Sequence, residues 1–224
     1  FDGLLHCDIC GDAVQTRVEL FGEIMTVRCI CQCDKARLAA EKAQAVGAYT
    51  KESVKYLLDN DVNVGMVQIG NEIRCGMMWP IGAITNWPGL AKLLNAGIRA
   101  VRDTQGHRET KIVIHLDQGG RYYYYEEWFD AALEHGVTDF DIIGLSYYPF
   151  WHGTFHDLKN TMEKVVARYD KPLILAEMAH AYRRSQGNLF GEAQEKIAGF
   201  PANPDAQKTV LELIMSIAAH VSKD

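Results

Sequence analysis

The chain has 224 residues, of which 48% are hydrophobic and 23% charged, and its formal net charge is −6. This composition is typical of a globular protein and excludes a disordered or collagen-like chain. The acidic balance lacks the basic excess of nucleic-acid-binding proteins. No apolar run reaches the roughly 18 residues needed to span a bilayer. We therefore expect neither nucleic acid nor a membrane as a partner. Residues 1–10 show no basic stretch followed by an apolar one, so no secretory signal is visible.

Cysteines are concentrated at the start of the chain, at positions Cys7, Cys10, Cys29, Cys31 and Cys33. Two close groups of cysteines at this separation are typical of a four-thiolate zinc site. Residues 15–21 and 24–28 flank a Gly-Glu pair and predict a β-hairpin that carries the two groups. We therefore expect a structural zinc ion bound by four of these five thiols. Disulfides and free thiols are the alternatives.

This cysteine-rich segment resembles the short zinc module of phage and bacterial helicase-loader proteins in its Cys-x-x-Cys, Gln-Thr-Arg-Val-Glu and Cys-x-Cys motifs. No phosphate-binding Gly-x-x-x-x-Gly-Lys-Ser/Thr loop follows, so a loader ATPase is not expected. From residue 34 the composition changes, and residues 35–45 predict a helix. We place a domain boundary near residues 46 and 47, between a zinc-ribbon-like module over 1–46 and a second domain over 47–224.

The second domain alternates predicted strands and helices. Apolar spacing predicts helices over residues 50–58, 90–101, 126–135, 158–169 and 206–221. Short apolar runs predict strands over residues 65–70, 112–116, 141–146 and 172–176. Strands without polar alternation, separated by helices, indicate an α/β fold with a parallel sheet covered on both faces.

Polar residues stand at the carboxyl end of each predicted strand, where active sites of parallel sheets lie. They are Asn71, Glu72, His115, Asp117, Ser146, Tyr147, Tyr148 and Glu177. Carboxylates on two separate strands, Glu72 and Glu177, are typical of glycoside hydrolysis, in which one is protonated and the other ionised. Aromatic residues nearby offer flat faces for sugar rings; they are Trp79, Trp87, Tyr147, Tyr148 and Trp151.

Four motifs carry a resemblance to a known family. They are Gln-Ile-Gly-Asn-Glu-Ile at 68–73 with the Gly-Met-Met-Trp-Pro-Ile-Gly that follows, Ile-His-Leu-Asp at 114–117, the block at 139–153, and Lys-Pro-Leu-Ile-Leu-Ala-Glu at 171–177. In this order they resemble the endo-β-1,4-galactanases of glycoside hydrolase family 53. The resemblance implies a (β/α)₈ TIM barrel and a retaining mechanism that cleaves β-1,4-galactan or arabinogalactan, without a catalytic cofactor and outside the cell.

The same resemblance implies roles for individual residues. Glu72 would be the acid/base and Glu177 the nucleophile, while Asn71 would bind the sugar 2-hydroxyl. Either Tyr147 or Tyr148 would orient Glu177. The remaining substrate-pocket residues would be His115, Asp117, Trp151 and His152.

The predicted barrel is partial, because only four strands are predicted where a complete barrel has eight and about 250 residues. They correspond to the fourth to seventh strands of the family, and no eighth strand or calcium-ligand pattern is evident after them. A sheet open at both sides has two unpaired edges, through which two copies could pair. Two hypotheses follow: a glycosidase, or a non-catalytic hybrid in which the zinc module is a protein-interaction element.

Overall fold

The computed structural model describes residues 15–20, 23–28, 32–106, 109–185 and 190–221, with side chains from residue 33 onward. Strands β1 (Gln15–Leu20) and β2 (Glu23–Arg28) form an antiparallel hairpin with Leu20 opposite Glu23. The predicted hairpin is therefore confirmed. Cys7, Cys10, Cys29 and Cys31 lie outside the described residues, and Cys33 is half-buried in the first turn of the following helix. The zinc site stays a prediction.

Helix α1 (Gln32–Asp59) is continuous where the sequence predicts two helices. Residues 46 and 47 lie in its middle, and residue 50, the predicted start of a second helix, lies in its interior. Gly47 does not interrupt the helix, and a Cβ built there would make only an ordinary van der Waals contact, at 3.5 Å from the Ala96 carbonyl oxygen of the next helix. The expectation of two separate helices is wrong, and the division into domains stays a prediction.

The remaining elements alternate along the chain as predicted. The strands are β3 (Met66–Gln68), β4 (Gly76–Met77), β5 (Gly82–Ala83), β6 (Lys111–Leu116), β7 (Ile142–Tyr147) and β8 (Leu173–Met178). The helices are α2 (Trp87–Thr104), α3 (Tyr122–Glu134), α4 (Phe155–Tyr169), α5 (Glu192–Ala198) and α6 (Pro204–Val221). Helix α3 begins four residues before its predicted start, and the short pieces β4, β5 and α5 were not expected.

Four strands form one parallel sheet in the order β3-β6-β7-β8. Residues 112–116 of β6 and all of β7 are buried, as expected for parallel strands covered on both faces. The core between this sheet and its helices includes Leu90, Ile114, Trp128 and Phe129, all at most 1% exposed.

The sheet curls as part of a barrel, which confirms the predicted α/β half-barrel. Strands β3 and β8 form its two edges, so within the described part of the chain each pairs with one neighbour in this sheet. The parallel arrangement brings the carboxyl ends of all four strands to one side. Among the helices described, none is long and apolar enough to cross a bilayer.

Candidate active site

Three titratable side chains converge where the strands end. Glu72 follows β3, His115 lies near the end of β6 and Glu177 lies in β8. One side-chain atom from each residue lies within 4.8 Å of the corresponding atoms of the other two. The two carboxylates predicted from the sequence therefore face each other across a short gap.

A tight turn after β3 positions Glu72. Gly70 has φ +81°, and Glu72 itself has φ 48° and ψ 47°, a left-handed conformation that is uncommon for a residue other than glycine. The next residue, Ile73, is 1% exposed, and its carbonyl oxygen accepts a 3.1 Å hydrogen bond from the Trp128 indole. The burial of Ile73 and this hydrogen bond stabilise the turn. The backbone of Glu72, which precedes Ile73, is thereby fixed by the core. Such uncommon backbone conformations occur often at active sites.

A register shift positions Glu177. Leu145 of β7 lies opposite Leu175 of β8, whereas the next residue of β7, Ser146, lies opposite Glu177. Bulges of this kind redirect side chains and are frequent next to active sites. Beyond the shift, the Tyr148 hydroxyl donates a 2.6 Å hydrogen bond to Oε2 of Glu177. Burial and the neighbouring Glu177 raise the pKa of Tyr148 to about 12, so the hydroxyl remains a donor at neutral pH.

Tyr147, the other candidate for this contact, points elsewhere. Its side chain is fully buried, and its hydroxyl donates to the Gly153 carbonyl oxygen at 2.9 Å. The structure thus brings Tyr148 to Glu177 and places Tyr147 in the core. The expectation that Tyr147 contacts substrate does not hold, because no part of it is exposed.

A chain of polar side chains lies beside the carboxylates. The Gln68 amide donates to Oδ1 of Asn71 at 3.0 Å, and Nδ1 of His115 lies 3.2 Å from the same oxygen. On its other side, Nε2 of His115 lies 2.8 Å from the Ser146 hydroxyl. His115 is fully buried, whereas Asn71 is exposed. Asn71 can therefore reach a ligand, and His115 lies beneath it.

Burial lowers the pKa of His115, although Glu177, Glu72 and Asp117 act in the opposite direction. The imidazole is therefore neutral at pH 7. Glu72, His115 and Glu177 also have the donor atoms of a metal site. Both ring nitrogens of His115, however, lie within hydrogen-bond distance of protein oxygens. A metal ion would have to displace one of these partners, so the arrangement suits proton transfer better than metal binding.

An ion pair lies near the three converging side chains. Nε of Arg74 donates to Oδ1 of Asp117 at 2.8 Å, and the Arg74 guanidinium lies 4.4 Å from the centre of the Tyr124 ring. Both charged side chains are half-buried. Asp117 therefore lies near His115, whose pKa it acts to raise, and is paired with an arginine to which the sequence analysis assigned no role.

The aromatic candidates separate into two groups. Trp79 and Trp151 are 67% and 48% exposed, so their faces are available to a sugar. Trp87 instead packs edge-on against Trp128 in the core, with ring centroids 5.2 Å apart, which corrects its assignment as a sugar platform. His152 is 4% exposed, and its Nδ1 lies 3.0 Å from the Ser146 carbonyl oxygen beneath Tyr148. Burial lowers its pKa.

Gln68 is another residue to which the sequence analysis assigned no role. It lies at the end of β3, and its side chain reaches forward over the turn to Asn71. Gln68 stands at the start of the first motif that resembles the family, and this position was the one sequence feature that could have indicated a role. The partner of an amide at a strand end depends, however, on the turn that follows, and spacing alone does not predict that turn.

The family model for glycosyl hydrolase family 53 matches residues 35–224. The chain is 39% identical over 134 residues to a probable arabinogalactan endo-β-1,4-galactanase A of Aspergillus tubingensis, a match covering 58% of this chain and 38% of that protein. It is 31% identical over 181 residues to an endo-β-1,4-galactanase of Bacillus subtilis (strain 168), covering 78% of this chain and 40% of that protein.

Among solved structures, a family 53 catalytic domain of Ignisphaera aggregans superimposes with a TM-score of 0.74 at 33% identity, covering 82% of this chain and 52% of that chain. The present chain thus spans about half the length of this structure and less of the two galactanases. The family model covers most of the chain, including every motif that carries the resemblance. The chain belongs to glycosyl hydrolase family 53.

Proposed function

We propose that this chain carries the catalytic pair of a retaining glycosidase that cleaves β-1,4-galactan or arabinogalactan. The observation that supports this most directly is the approach of the Glu72 and Glu177 carboxylates to within 4.8 Å. Retaining glycosidases hold their carboxyl groups about 5–5.5 Å apart, whereas inverting enzymes need about 6.5–9.5 Å to admit a water molecule. The short separation favours retention.

In the first step, the Glu177 carboxylate attacks the anomeric carbon of the bound sugar. The bond from that carbon to the leaving oxygen breaks, and Glu72 donates its proton to this oxygen. The Tyr148 hydroxyl, at 2.6 Å from Oε2, fixes the direction in which Glu177 presents its oxygens. The product is a glycosyl ester on Glu177 and a free leaving chain.

In the second step, water attacks the same anomeric carbon, and Glu72 removes the proton of that water. The ester bond breaks, Glu177 leaves as a carboxylate and Glu72 is protonated again. Two displacements at one carbon retain its configuration. The exposed Asn71 amide, next to Glu72, binds the sugar 2-hydroxyl, a contact that strengthens as the transition state forms.

The galactan specificity rests on the names of the relatives, and the exposed faces of Trp79 and Trp151 suit a polysaccharide. A polysaccharide of this size is a substrate found outside cells, so we propose that the enzyme is extracellular. The chemistry requires no cofactor, because two carboxylates supply both the nucleophile and the proton.

The test is the release of reducing ends from β-1,4-galactan by the whole chain and by Glu177→Ala and Glu72→Ala variants. Loss of release in both variants, with unchanged circular dichroism, is expected. Azide should restore turnover of an aryl galactoside by Glu72→Ala, since a small anion does not need general base catalysis. Release that survives Glu177→Ala would reject the assigned nucleophile. No release by a folded wild type would favour the alternative, a non-catalytic chain whose cysteine module is an interaction element.

Two further proposals concern the oligomeric state and zinc binding. The outer strands β3 and β8 each lie at an edge of the sheet, and pairing of two copies through these edges would give a homodimer. Sedimentation equilibrium tests this, and a monomer at all concentrations would reject it. The cysteines between positions 7 and 33 would bind one zinc ion, which metal analysis of the purified protein tests.

A further inference from the structure

We propose that Gln68 is a positioning residue that sets the orientation of the Asn71 side-chain amide, so that Asn71 presents its N–H₂ group to the 2-hydroxyl of the sugar. This inference rests on the proposed function, in which Asn71 binds that hydroxyl. It deepens that function by assigning a residue that selects one of the two orientations an asparagine amide can adopt.

The backbone carbonyl of Gly70 can only accept hydrogen bonds. Nε2 of Gln68 lies 2.8 Å from this carbonyl oxygen. The opposite orientation of the Gln68 amide would bring two oxygens to that distance. Gly70 therefore determines which end of the Gln68 amide faces the turn. Since an amide nitrogen carries two hydrogens, one is left to donate elsewhere.

That second hydrogen is directed at the side chain of Asn71, 3.0 Å away. The atom of Asn71 that faces this N–H group has to be an acceptor, so it is the amide oxygen Oδ1 and not the nitrogen. The hydrogen bonds themselves therefore fix the orientation of the Asn71 amide. The Asn71 amide nitrogen is then directed away from Gln68. Asn71 is exposed and precedes Glu72, so we place its N–H₂ group on the side where the sugar would bind.

The chain continues into the core. Nδ1 of His115 lies 3.2 Å from Oδ1 of Asn71, and an acceptor oxygen requires that Nδ1 carries the proton. Nε2 of the neutral ring is then an acceptor, and it lies 2.8 Å from the hydroxyl of Ser146. The burial that lowers the pKa of His115 is in agreement with a single neutral tautomer. Gln68 and His115 thus donate to the same oxygen from two sides.

The test uses Gln68→Glu, which preserves the size of the side chain and replaces its N–H₂ group with an acceptor. We expect the new carboxylate to turn away from the Gly70 carbonyl oxygen, which also can only accept, and the Asn71 amide to rotate so that its nitrogen faces the carboxylate. Nδ1 of His115 would then lose its acceptor, and the proton would move to Nε2. Nitrogen-15 NMR of the imidazole reports this directly, with Nδ1 protonated in the wild type and Nε2 protonated in the variant.

Kinetics supply the second readout. The ratio of kcat/KM for an aryl β-galactoside to that for its 2-deoxy analogue should fall on the order of tenfold in Gln68→Glu, because a misoriented amide no longer distinguishes the two sugars. In an Asn71→Ala background the same substitution should have no further effect. Gln68→Met, which cannot accept or donate, leaves His115 as a donor to Oδ1 of Asn71 and should reduce the ratio less than Gln68→Glu, without the NMR change. Gln44→Glu, on the exposed face of α1, is the matched control.

The two readouts separate this inference from the proposed function. A tautomer exchange in a protein that hydrolyses no galactoside would support the positioning role and reject the glycosidase. Hydrolysis with an unchanged 2-deoxy ratio and an unchanged tautomer in Gln68→Glu would support the glycosidase and overturn the positioning role. Thermal unfolding of each variant shows that the fold is retained.

Discussion

The Tyr148 hydroxyl donates a 2.6 Å hydrogen bond to Glu177, whereas the adjacent Tyr147 bonds to the Gly153 carbonyl oxygen inside the core. Successive side chains of an extended chain point to opposite faces, so Tyr147, the last residue of β7, and Tyr148, which follows it, point to different sides. The register shift between β7 and β8 determines which of them meets the carboxylate. We therefore expect Tyr148 to contribute to the chemistry and Tyr147 to stability.

Replacement of Tyr148 by Phe is expected to lower kcat with little change in KM. A hydrogen bond to a charged group contributes about 1.5–3 kcal/mol, which corresponds to a rate loss of about tenfold to 100-fold. Steady-state kinetics on galactan or an aryl galactoside measure this. A kcat equal to that of the wild type would show that the contact with Glu177 does not contribute to turnover.

Tyr147→Phe is the matched substitution in the core. It removes the donor to the Gly153 carbonyl oxygen, and we expect the free energy of unfolding to fall by about 1 kcal/mol. The kcat should stay within about twofold of wild type, since this hydroxyl does not reach the carboxylates. A larger loss of kcat in Tyr147→Phe than in Tyr148→Phe would reverse the assignment of the two tyrosines.

The turn that carries Glu72 depends on Gly70. A Cβ built at this position would lie 2.6 Å from Cγ2 of Ile73, and φ is +81°. Gly70→Ala should therefore destabilise the protein by about 1–3 kcal/mol and lower kcat, since Glu72 is displaced with the turn. Gly65→Ala is the control, because a Cβ there meets no atom within 4 Å and should change stability by no more than about 1 kcal/mol. Equal effects of the two substitutions in urea unfolding would contradict the account of the turn.

Arg102 stabilises the opposite end of the sheet. Its guanidinium donates to Asp139, to Asp141 and to the Thr110 carbonyl oxygen, and Asp141 also accepts from the backbone N–H of Ile112. Arg102→Met should lower the free energy of unfolding by about 1–3 kcal/mol without affecting KM or kcat. Arg99→Met, an exposed position on the same helix, should cost no more than about 0.5 kcal/mol. A change in kcat for Arg102→Met would show coupling between the two ends of the sheet.

Acid should destabilise the protein through two buried histidines. Burial lowers the pKa of His115 and of His152, so the unfolded chain takes up these protons at a higher pH than the native state. Well above about pH 6.5 both histidines are neutral in the native and the unfolded state, so neither lowers the free energy of unfolding. As the pH falls below about 6.5, the free energy of unfolding should fall by up to about 1.4 kcal/mol per pH unit for each histidine, until the native state is protonated too.

Urea unfolding between about pH 7.5 and about pH 5 measures this slope. A His115→Gln variant should show a shallower fall over the same range, because one of the two protonations has been removed. Identical slopes for the variant and the wild type would show that His115 does not take part.

Periodicity predicted the elements that the core defines. Leu90, Leu93, Leu94 and Ile98 follow a helical spacing, and all four are at most 1% exposed in α2. The four parallel strands were predictable for the same reason, since their apolar runs lie between helices. The continuity of α1 was not predictable, because a glycine at position 47 favours a helix end locally, whereas the packing of α1 along α2 overrides that propensity. The seven-residue α5 is too short to show a period.

The candidate site was predictable in its residue types but not in its contacts. Glu72, Asn71 and Glu177 follow from their places at strand ends and from the family resemblance. The choice between Tyr147 and Tyr148 depends on a register shift, and the role of Gln68 depends on the turn at Gly70. The register shift and the turn depend on tertiary structure, which the spacing of residues in the sequence does not predict. Arg74 was not identified because its partner, Asp117, is 43 residues away in the sequence, just after the end of β6.

The central claim is that Glu177 forms a covalent bond to the sugar while Glu72 handles the proton. Incubation with a 2-deoxy-2-fluoro-β-galactoside that carries an activated leaving group slows the second step and traps that bond. Mass spectrometry of the digested protein should then find one fluorogalactosyl group on the peptide that contains Glu177. Hydrolysis of galactan by a chain that stays unlabelled, or a label found on Glu72, would contradict the assignment.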